Sequence, residues 1–452
     1  MQIYNKVSIY GNNGKFFLFT ALQVTSKYPK PNCVYPYYIH SFLRCLRSEL
    51  ILLIQFFFSN LVLWMIRFQR ILSATNIPIN NNLTASARIF FAFWLYLYGS
   101  FIKSKRKAMA TNSKLTRILS IDGGGIRGIL PGQILVSLEN KLKTLDNNPD
   151  AHIADYFDLI AGTSTGGILA CLYLSPSEDQ NGRPRFSAQK AVELYLDRGD
   201  EIFDISFWQK IRSGGGITDE KYSEKELEEA LDDYIGKMKL DELLKPCLIT
   251  SYDIRRRKGH FFRSHKAKLD HSYNFFVKDA ARATSAAPTY FEVARVKGDD
   301  KQVYPLIDGG VFVNNPALCA YSEARTWKFD SFRENPKAAN MMIMSIGTGG
   351  TDKKYEYKKA KDWGAIQWIQ PIISIMMSGV ADTVHYQLKQ IYDAVGKPKQ
   401  YLRLDPELFT ADSAMDNATA ENLEKLRKDG AQNAENFDKK LTAFAKMLIA
   451  NK

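Results

Sequence analysis

From residue 117 onward, short apolar runs alternate with longer segments whose apolar residues recur at helical spacing. Four apolar runs predict β-strands, each ending at a loop: residues 117–121, 156–162, 247–254 and 341–349. Residues 130–145, between the first two, carry apolar side chains at every third or fourth position and predict a helix with Pro131 in its first turn. This alternation predicts an α/β protein whose sheet is covered by helices and whose functional groups lie at the strand ends.

The two ends of the chain have different patterns. Residues 50–66 and 89–102 are apolar runs without a charged side chain, flanked by arginines and lysines, and each is short for a transmembrane helix. They predict that residues 1–108 form a basic, hydrophobic extension that associates with a membrane; the alternative is that Met109 is the true start of the protein. Residues 406–452 are charged, and their composition predicts helices that pack on the rest of the protein rather than form a site.

Most of the net charge of +13 lies in the N-terminal extension, where 13 lysines and arginines accompany a single acid, Glu49. The remaining 344 residues carry 48 basic and 47 acidic side chains, so they lack the basic patch that a nucleic-acid-binding protein would show. The five cysteines are scattered and show no C-x-x-C spacing. They therefore favour a reducing compartment, and predict a cytoplasmic protein without a metal site.

A glycine-rich loop follows the first predicted strand, and Gly123, Gly125 and Gly128 fit the pattern G-x-G-x-x-G. Such a loop binds the pyrophosphate of a dinucleotide, or its N–H groups stabilise the oxyanion of an acyl-transfer reaction. In a dinucleotide-binding domain the second strand would end in an acid that holds the ribose. Here the second predicted strand ends in Ala161 and Gly162, so the pattern favours the oxyanion and predicts no nucleotide cofactor.

A second motif lies between the second predicted strand and a helix. Gly162, Ser164 and Gly166 fit G-x-S-x-G, the nucleophile elbow, in which a sharp strand-to-helix turn exposes a serine. The N-terminus of the following helix would favour negative charge that develops near that serine. Ser164 is therefore the candidate nucleophile.

The third motif, Asp308-Gly309-Gly310, also follows an apolar run, and by itself it is typical of a turn. Taken in order, the glycine loop, G-x-S-x-G and Asp-Gly-Gly resemble the patatin-like phospholipase family. Residues 279–291 and 345–349 resemble further segments of that family, so the resemblance covers residues 118–349. Plant members usually have Asp-Gly-Ala at the third motif, a difference that leaves the carboxylate in place.

The resemblance implies a three-layer α/β/α fold with a mainly parallel central sheet. The catalytic domain would span residues 115–350, with its core motifs in residues 118–320, and a helical C-terminal region, residues 351–452, would pack on it. The implied site is a serine–aspartate dyad with Ser164 as nucleophile and Asp308 as acceptor of its proton. Because the pKa of a free aspartate is about 4, this role requires a partly desolvated carboxylate or a short hydrogen bond.

The same resemblance assigns the oxyanion hole to the N–H groups of Gly123, Gly124 and Gly125. Arg127 is expected to anchor this loop through a salt bridge. The implied activity is that of a phospholipase A-type acyl hydrolase, which cleaves fatty-acyl esters of membrane phospholipids or galactolipids at a membrane surface, without a metal or nucleotide cofactor.

Three alternatives remain open at this point. The same dyad could serve a broad esterase or an acyltransferase. His385 could complete a triad, since Ser164, Asp308 and His385 stand in the Ser…Asp…His order of α/β-hydrolases, although His385 lies in a continuous helical pattern. The chain could also be a lipid-binding or storage protein that has kept the fold.

Overall fold

The structure is a computed structural model that describes residues 8–12, 15–19, 114–179, 182–202, 224–288, 290–326, 336–350 and 355–452. The chain divides into two compact units, Met1–Met109 and Ala110–Lys452. In the first unit, the described residues form an antiparallel hairpin of β1 (Ser8–Asn12) and β2 (Lys15–Phe19). The apolar runs at residues 50–66 and 89–102 lie outside the described residues. In the part of the chain that is described, no helix is long and apolar enough to cross a membrane.

Eight strands of the second unit form one sheet among the described residues. They are β3 (Thr116–Ile121), β4 (Leu159–Thr163), β5 (Cys247–Asp253), β6 (Lys258–Phe262), β7 (Ala294–Lys297), β8 (Val303–Asp308), β9 (Met341–Ile346) and β10 (Tyr401–Leu404). Neighbouring strands are parallel in the order β10-β9-β3-β4-β5. Strands β6 and β8 each pair antiparallel with β5, and β7 pairs antiparallel with β8. The predicted α/β class with a mainly parallel sheet is confirmed.

Helices connect these strands. The described ones are α1 (Ile129–Leu145), α2 (Ile153–Tyr156), α3 (Thr165–Leu174), α4 (Ala188–Ile202), α5 (Glu224–Ile235), α6 (Ser264–Ala267), α7 (Val277–Thr284), α8 (Ala317–Thr326), α9 (Tyr357–Ala360), α10 (Ala365–Ala394), α11 (Ala420–Asn436) and α12 (Asp438–Ala450). Helix α1 begins at Ile129 and holds Pro131 in its first turn, where the missing proline N–H costs no helical hydrogen bond.

The sheet separates two hydrophobic cores, because successive side chains of a strand point to opposite faces. On one face, Leu119 and Ile121 of the central strand β3 belong to a core that includes α1, α3, α11 and α12. On the other face, Ile118 belongs to a second core with α8 and the C-terminal half of α10. Helices therefore cover both faces of the sheet, which confirms the three-layer arrangement.

Two elements differ from the prediction. The strand expected to begin at residue 156 begins at Leu159, because Tyr156 ends the short helix α2. That helix is held at its start by Asp155, whose carboxylate accepts the N–H of His152 at 2.9 Å. In the C-terminal region α11 packs on α1, and the same region also adds β10 to the edge of the sheet beside β9.

Two strands meet end to end along one edge of β5. Strand β4 is parallel to the first half of β5, which puts Thr163 beside Thr250, and β8 is antiparallel to the second half, which puts Asp308 beside Ser251. Strand β6 takes the opposite edge. The end of β4 and the end of β8 are therefore adjacent, and this brings Ser164 close to Asp308.

Candidate active site

The turn between β4 and α3 is the sharp strand-to-helix turn that the G-x-S-x-G motif predicted. Ser164 has φ 52° and ψ −125°, a strained conformation for a residue with a side chain. A Cβ on Gly162 would overlap the carbonyl of Gly166, and one on Gly166 would overlap the carbonyl of Ile121. The two motif glycines are thus required by close backbone packing on either side of the serine.

The backbone of Ser164 is fixed by a short chain of hydrogen bonds. Its N–H donates to Oγ1 of Thr284 at 2.8 Å, and that hydroxyl donates to the carbonyl of Thr250 at 2.6 Å. Helix α3 begins at the next residue, Thr165, so its positive end lies beside the serine. The elbow is therefore tied to β5 and α7.

Asp308, the last residue of β8, is buried and contacts Ser164. The interaction of its carboxylate with the Ser164 hydroxyl favours the ionised form, and its Oδ1 accepts the N–H of Gly310 at 2.7 Å. Gly309 and Gly310 form the short 3₁₀ turn Gly309–Val311 that follows the strand. This turn supplies the N–H that orients the carboxylate.

The ionisation of Asp308 suits proton transfer near neutral pH. Burial raises the pKa of Asp308 to about 7, although the hydrogen bonds from Ser164 and Gly310 lower it. A base whose pKa lies near the working pH is both deprotonated and able to accept a proton. Burial supplies one of the two conditions, desolvation or a short hydrogen bond, under which Asp308 would act as a base.

The glycine loop after β3 presents its backbone to the same place. The N–H of Gly123 donates to the carbonyl of Asn314 at 3.2 Å, and the N–H of Ile126 donates to the carbonyl of Met415 at 2.9 Å. Gly124 and Gly125 lie between Gly123 and Ile126, and their N–H groups have no acceptor among the described residues. Gly125 has φ +61° and lines the pocket beside Ser164.

Arg127 and Gly128 lie in the 3₁₀ turn Gly125–Gly128 that leads into α1. Arg127 donates from Nη1 to the carbonyl of Gly349 at 3.0 Å and from Nε to the carbonyl of Gly124 at 3.4 Å. Burial lowers the pKa of Arg127 to about 10. Arg127 therefore holds the loop through backbone carbonyls, and the expected salt bridge does not occur among the described residues.

Ser164 and Asp308 line a pocket whose empty space, including the part open to solvent, is about 820 Å³. Most of its wall is apolar, and much of it comes from segments outside the three motifs. The lining residues include Phe291, Val311, Ile373, Met376, Met377 and Met415. A wall of this kind is suited to an apolar ligand.

Comparison with known proteins agrees with this geometry. The family model for patatin-like phospholipases matches residues 119–321. Patatin-like protein 1 of Arabidopsis thaliana is 36% identical over 355 residues, which cover 72% of this chain and 83% of that protein. Patatin-08 of Solanum tuberosum is 33% identical over 381 residues, covering 79% and 96%. The chain belongs to the patatin-like phospholipase family.

Membership in this family makes the protein a hydrolase. Among solved structures, human GIVD cytosolic phospholipase A2 is similar with a TM-score of 0.35 and 10% identity, over 75% of this chain and 61% of that one.

The difference from the plant motif Asp-Gly-Ala, which lies at Gly310, is sterically small. A Cβ on Gly310 would lie 3.1 Å from Oδ1 of Asp308, which is tight but free of backbone overlap.

His385 lies outside the lining of the pocket that contains Ser164 and Asp308 in this patatin-like protein. It belongs to the continuous helix α10, and its Nδ1 lies 3.1 Å from the hydroxyl of Tyr401 on β10. Among the described residues, no histidine lines the pocket. The arrangement therefore offers no Ser164–Asp308–His385 triad.

The sequence missed a buried ion pair behind the glycine loop. Asp122 accepts from Nη2 of Arg403 at 2.7 Å, and Arg403 also donates to Oγ of Ser345 at 2.9 Å. Burial raises the pKa of Asp122 to about 6, against the opposing effect of the Arg403 guanidinium. The sequence places Asp122 next to the glycine loop, but its partner Arg403 lies 281 residues later. No local pattern therefore predicts that the two residues pair.

The C-terminal region also reaches the pocket, which corrects the expectation that it only packs. Met415 and Asp416 line the pocket, and the carbonyl of Met415 holds the N–H of Ile126 next to the glycine loop. Helix α10 contributes a further wall through Ile373, Met376 and Met377. Since these segments follow all three motifs in the chain, their role depends on tertiary contacts that no local pattern reveals.

Proposed function

We propose that this protein is a phospholipase A-type acyl hydrolase that cleaves fatty-acyl esters of membrane phospholipids or galactolipids through Ser164 and Asp308. The observation that carries the proposal is the contact between these two side chains in the lining of one apolar pocket. Family membership supports the reaction class, and the apolar wall supports an acyl chain as the part of the substrate that is bound.

In the first half of the reaction, Oγ of Ser164 attacks the ester carbonyl carbon while its proton passes to the carboxylate of Asp308. The carbonyl oxygen becomes an oxyanion that accepts hydrogen bonds from the N–H groups of Gly124 and Gly125. We omit Gly123 from this oxyanion hole because its N–H already donates to Asn314. The bond to the leaving alcohol then breaks, and Asp308 returns its proton to that oxygen.

In the second half, water attacks the acyl-enzyme and gives a proton to Asp308. The resulting tetrahedral intermediate is stabilised by the same two N–H groups. When it collapses, the fatty acid leaves and Oγ of Ser164 regains its proton. The dipole of α3 and the pKa of Asp308 near 7 both favour these steps at neutral pH.

The proposal is tested by fatty-acid release from vesicles that contain phosphatidylcholine and a galactolipid. The full-length chain should release fatty acid, and Ser164→Ala should lower the rate by at least about a thousandfold, because the covalent step is lost. Ser285→Ala is the matched control: Ser285 lines the same pocket, but its hydroxyl donates to the carbonyls of Ala281 and Arg282.

The rival mechanisms are separated in the same assay. His385→Ala should retain most of the activity, and a loss as large as that of Ser164→Ala would restore the triad. Transfer of the acyl group to an added primary alcohol in preference to water would identify an acyltransferase. Binding of lipid without any product would favour a lipid-binding or storage protein.

A further inference from the structure

The N-terminal half of α10 exposes a group of large apolar side chains, whereas the C-terminal half exposes Tyr386 and buries most of the others that are described. The C-terminal half buries Val384, Leu388 and Tyr392 in the second core. Four large side chains of the N-terminal half are exposed instead, and we call them the docking face: Trp368 (39% exposed), Ile372 (47%), Ile375 (45%) and Met376 (43%). No charged residue occurs between residues 363 and 381.

These four residues form one continuous surface. Their spacing along the helix, at i, i+4, i+7 and i+8, puts them on the same side. A contiguous exposed apolar patch is unusual on a protein surface and marks a site of interaction with a partner or a membrane. The docking face is therefore a candidate interaction surface, and three of its four residues lie outside the lining of the pocket.

The docking face leads directly into the pocket. Met376 belongs to both, since it is exposed on the helix and lines the pocket beside Ile373 and Met377. Met376 therefore lies at the mouth of the pocket. A second copy of this chain seated on the face would cover that mouth, whereas a lipid surface would place acyl chains at it.

The residues before α10 have the composition of a membrane interface. Tyr355, Trp363 and Trp368 form an edge-to-face series, with ring centroids 5.3 Å and 5.0 Å apart. Tyr357 is largely exposed, and exposed lysines stand beside it at positions 358, 359 and 361. Tryptophan and tyrosine prefer the headgroup level of a bilayer, and lysines reach from there toward lipid phosphates.

Charge plays a minor part in this surface. Glu356 and Asp362 lie among the three lysines, and Lys361 lies 3.9 Å from Asp362. The local excess of positive charge is small, so apolar insertion must supply most of the attraction. Binding should therefore extend to uncharged phosphatidylcholine and change little with salt concentration.

We propose that the docking face inserts into the lipid surface and delivers an acyl chain past Met376 to Ser164. The inference rests on the proposed function, because it supplies the route by which a bilayer lipid enters the pocket. Helix α10 would lie in the interface with Trp368 at the headgroup level and Ile372 and Ile375 in the acyl region. The acyl chain then moves from bilayer to pocket along apolar side chains without crossing water.

The test uses the full-length chain carrying Ile372→Glu together with Ile375→Glu. Neither residue lines the pocket, so hydrolysis of a monomeric water-soluble ester such as p-nitrophenyl butyrate should stay at the parent rate. Fatty-acid release from phosphatidylcholine vesicles should fall at least about tenfold, because two charges enter the acyl region. The matched control is Leu269→Glu with Val395→Glu, two exposed apolar residues outside the docking face, and it should leave both rates unchanged.

A second measurement detects insertion without catalysis. In the Ser164→Ala background, vesicles with brominated acyl chains should quench tryptophan fluorescence. Trp368→Phe should remove part of this quenching, and Ile372→Glu with Ile375→Glu should reduce it. This comparison isolates α10 from any membrane contact of residues 1–108, since Trp64 and Trp94 remain in every variant.

The outcomes separate the two proposals. Vesicle hydrolysis at the parent rate in the Ile372→Glu, Ile375→Glu variant, or quenching that does not depend on Trp368, would overturn the docking proposal. An equal loss in both ester assays would also overturn it, since the residues would then serve the pocket or the fold. A parent dimer that the variant converts to an active monomer would assign the face to a second copy. Quenching from Trp368 in a protein that hydrolyses no lipid would support docking and refute the proposed function.

Discussion

Asp308 is buried, yet its proposed role requires the ionised carboxylate. Burial disfavours the charge, while the hydrogen bonds from Ser164 and Gly310 favour it, and the balance leaves the pKa at about 7. A pKa this close to neutrality is unusual for an aspartate, whose ordinary value is about 4. At this scale, one side chain determines how the reaction responds to pH.

We predict that kcat/KM for a soluble ester rises about tenfold per pH unit below pH 7 and levels off above it, because only ionised Asp308 accepts the proton of Ser164. The measurement is a pH–rate profile between pH 5 and 9 with p-nitrophenyl butyrate. A profile that is already flat at pH 5 would mean that the base has an ordinary carboxyl pKa, and would contradict the assigned role of burial.

The ionisation of Asp308 should also make the free energy of unfolding depend on pH. Between pH 4 and pH 7 folded Asp308 keeps a proton that the unfolded chain releases, so the parent loses unfolding free energy as pH rises. Asp308→Asn lacks this proton exchange. The stability of the variant relative to the parent should increase by up to about 1.4 kcal/mol per pH unit in this window and stay constant above it.

At the scale of elements, the elbow depends on the packing of β4 and α3 against β3. We predict that Gly166→Ala lowers the free energy of unfolding by about 3 kcal/mol and reduces activity, because the new methyl group would overlap the carbonyls of Ile121 and Asp122. Urea unfolding measures the first effect, and hydrolysis of a soluble ester measures the second.

Gly379→Ala is the matched control for this substitution. Gly379 lies inside α10, and nothing stands within 4 Å of the position that a Cβ would take. Alanine should therefore stabilise the protein by up to about 1 kcal/mol through its higher helix propensity. Equal effects of the two substitutions would show that the elbow is not held by close backbone packing.

The central strands and the elbow could be predicted because they are encoded locally. A parallel strand buried on both faces appears as an apolar run, as in β3 and β9, and the elbow requires glycines at fixed positions beside Ser164. Strand β10 is different: it has four residues and includes Arg403, and its structure comes from pairing with β9. No local pattern distinguishes such a segment from a loop.

The same distinction applies to the candidate site. Ser164, Asp308 and the glycine loop could be located because each belongs to a motif at the end of a strand. Their supporting residues could not, since Thr284 and Arg403 acquire their partners only when distant segments meet. The apolar wall from α10 and the C-terminal region was missed for the same reason.

At the scale of the whole molecule, the C-terminal region holds the glycine loop in place through one buried carboxylate. Asp429 on α11 accepts the backbone N–H groups of Phe409, Thr410 and Ala411 at 2.9–3.0 Å. This fixes the segment that leads to Met415, whose carbonyl holds Ile126. The last fifty residues are thus coupled to a loop that precedes them by about three hundred positions.

We predict that Asp429→Ala lowers the free energy of unfolding by about 3 kcal/mol, because three backbone N–H groups lose their acceptor. Where the variant remains folded, kcat/KM for a soluble ester should fall about tenfold, since Met415 no longer fixes the glycine loop. The control is Glu435→Ala, an exposed acid on the same helix, which should change neither quantity. A loss of stability at full activity would show that the C-terminal region supports the fold without positioning the site.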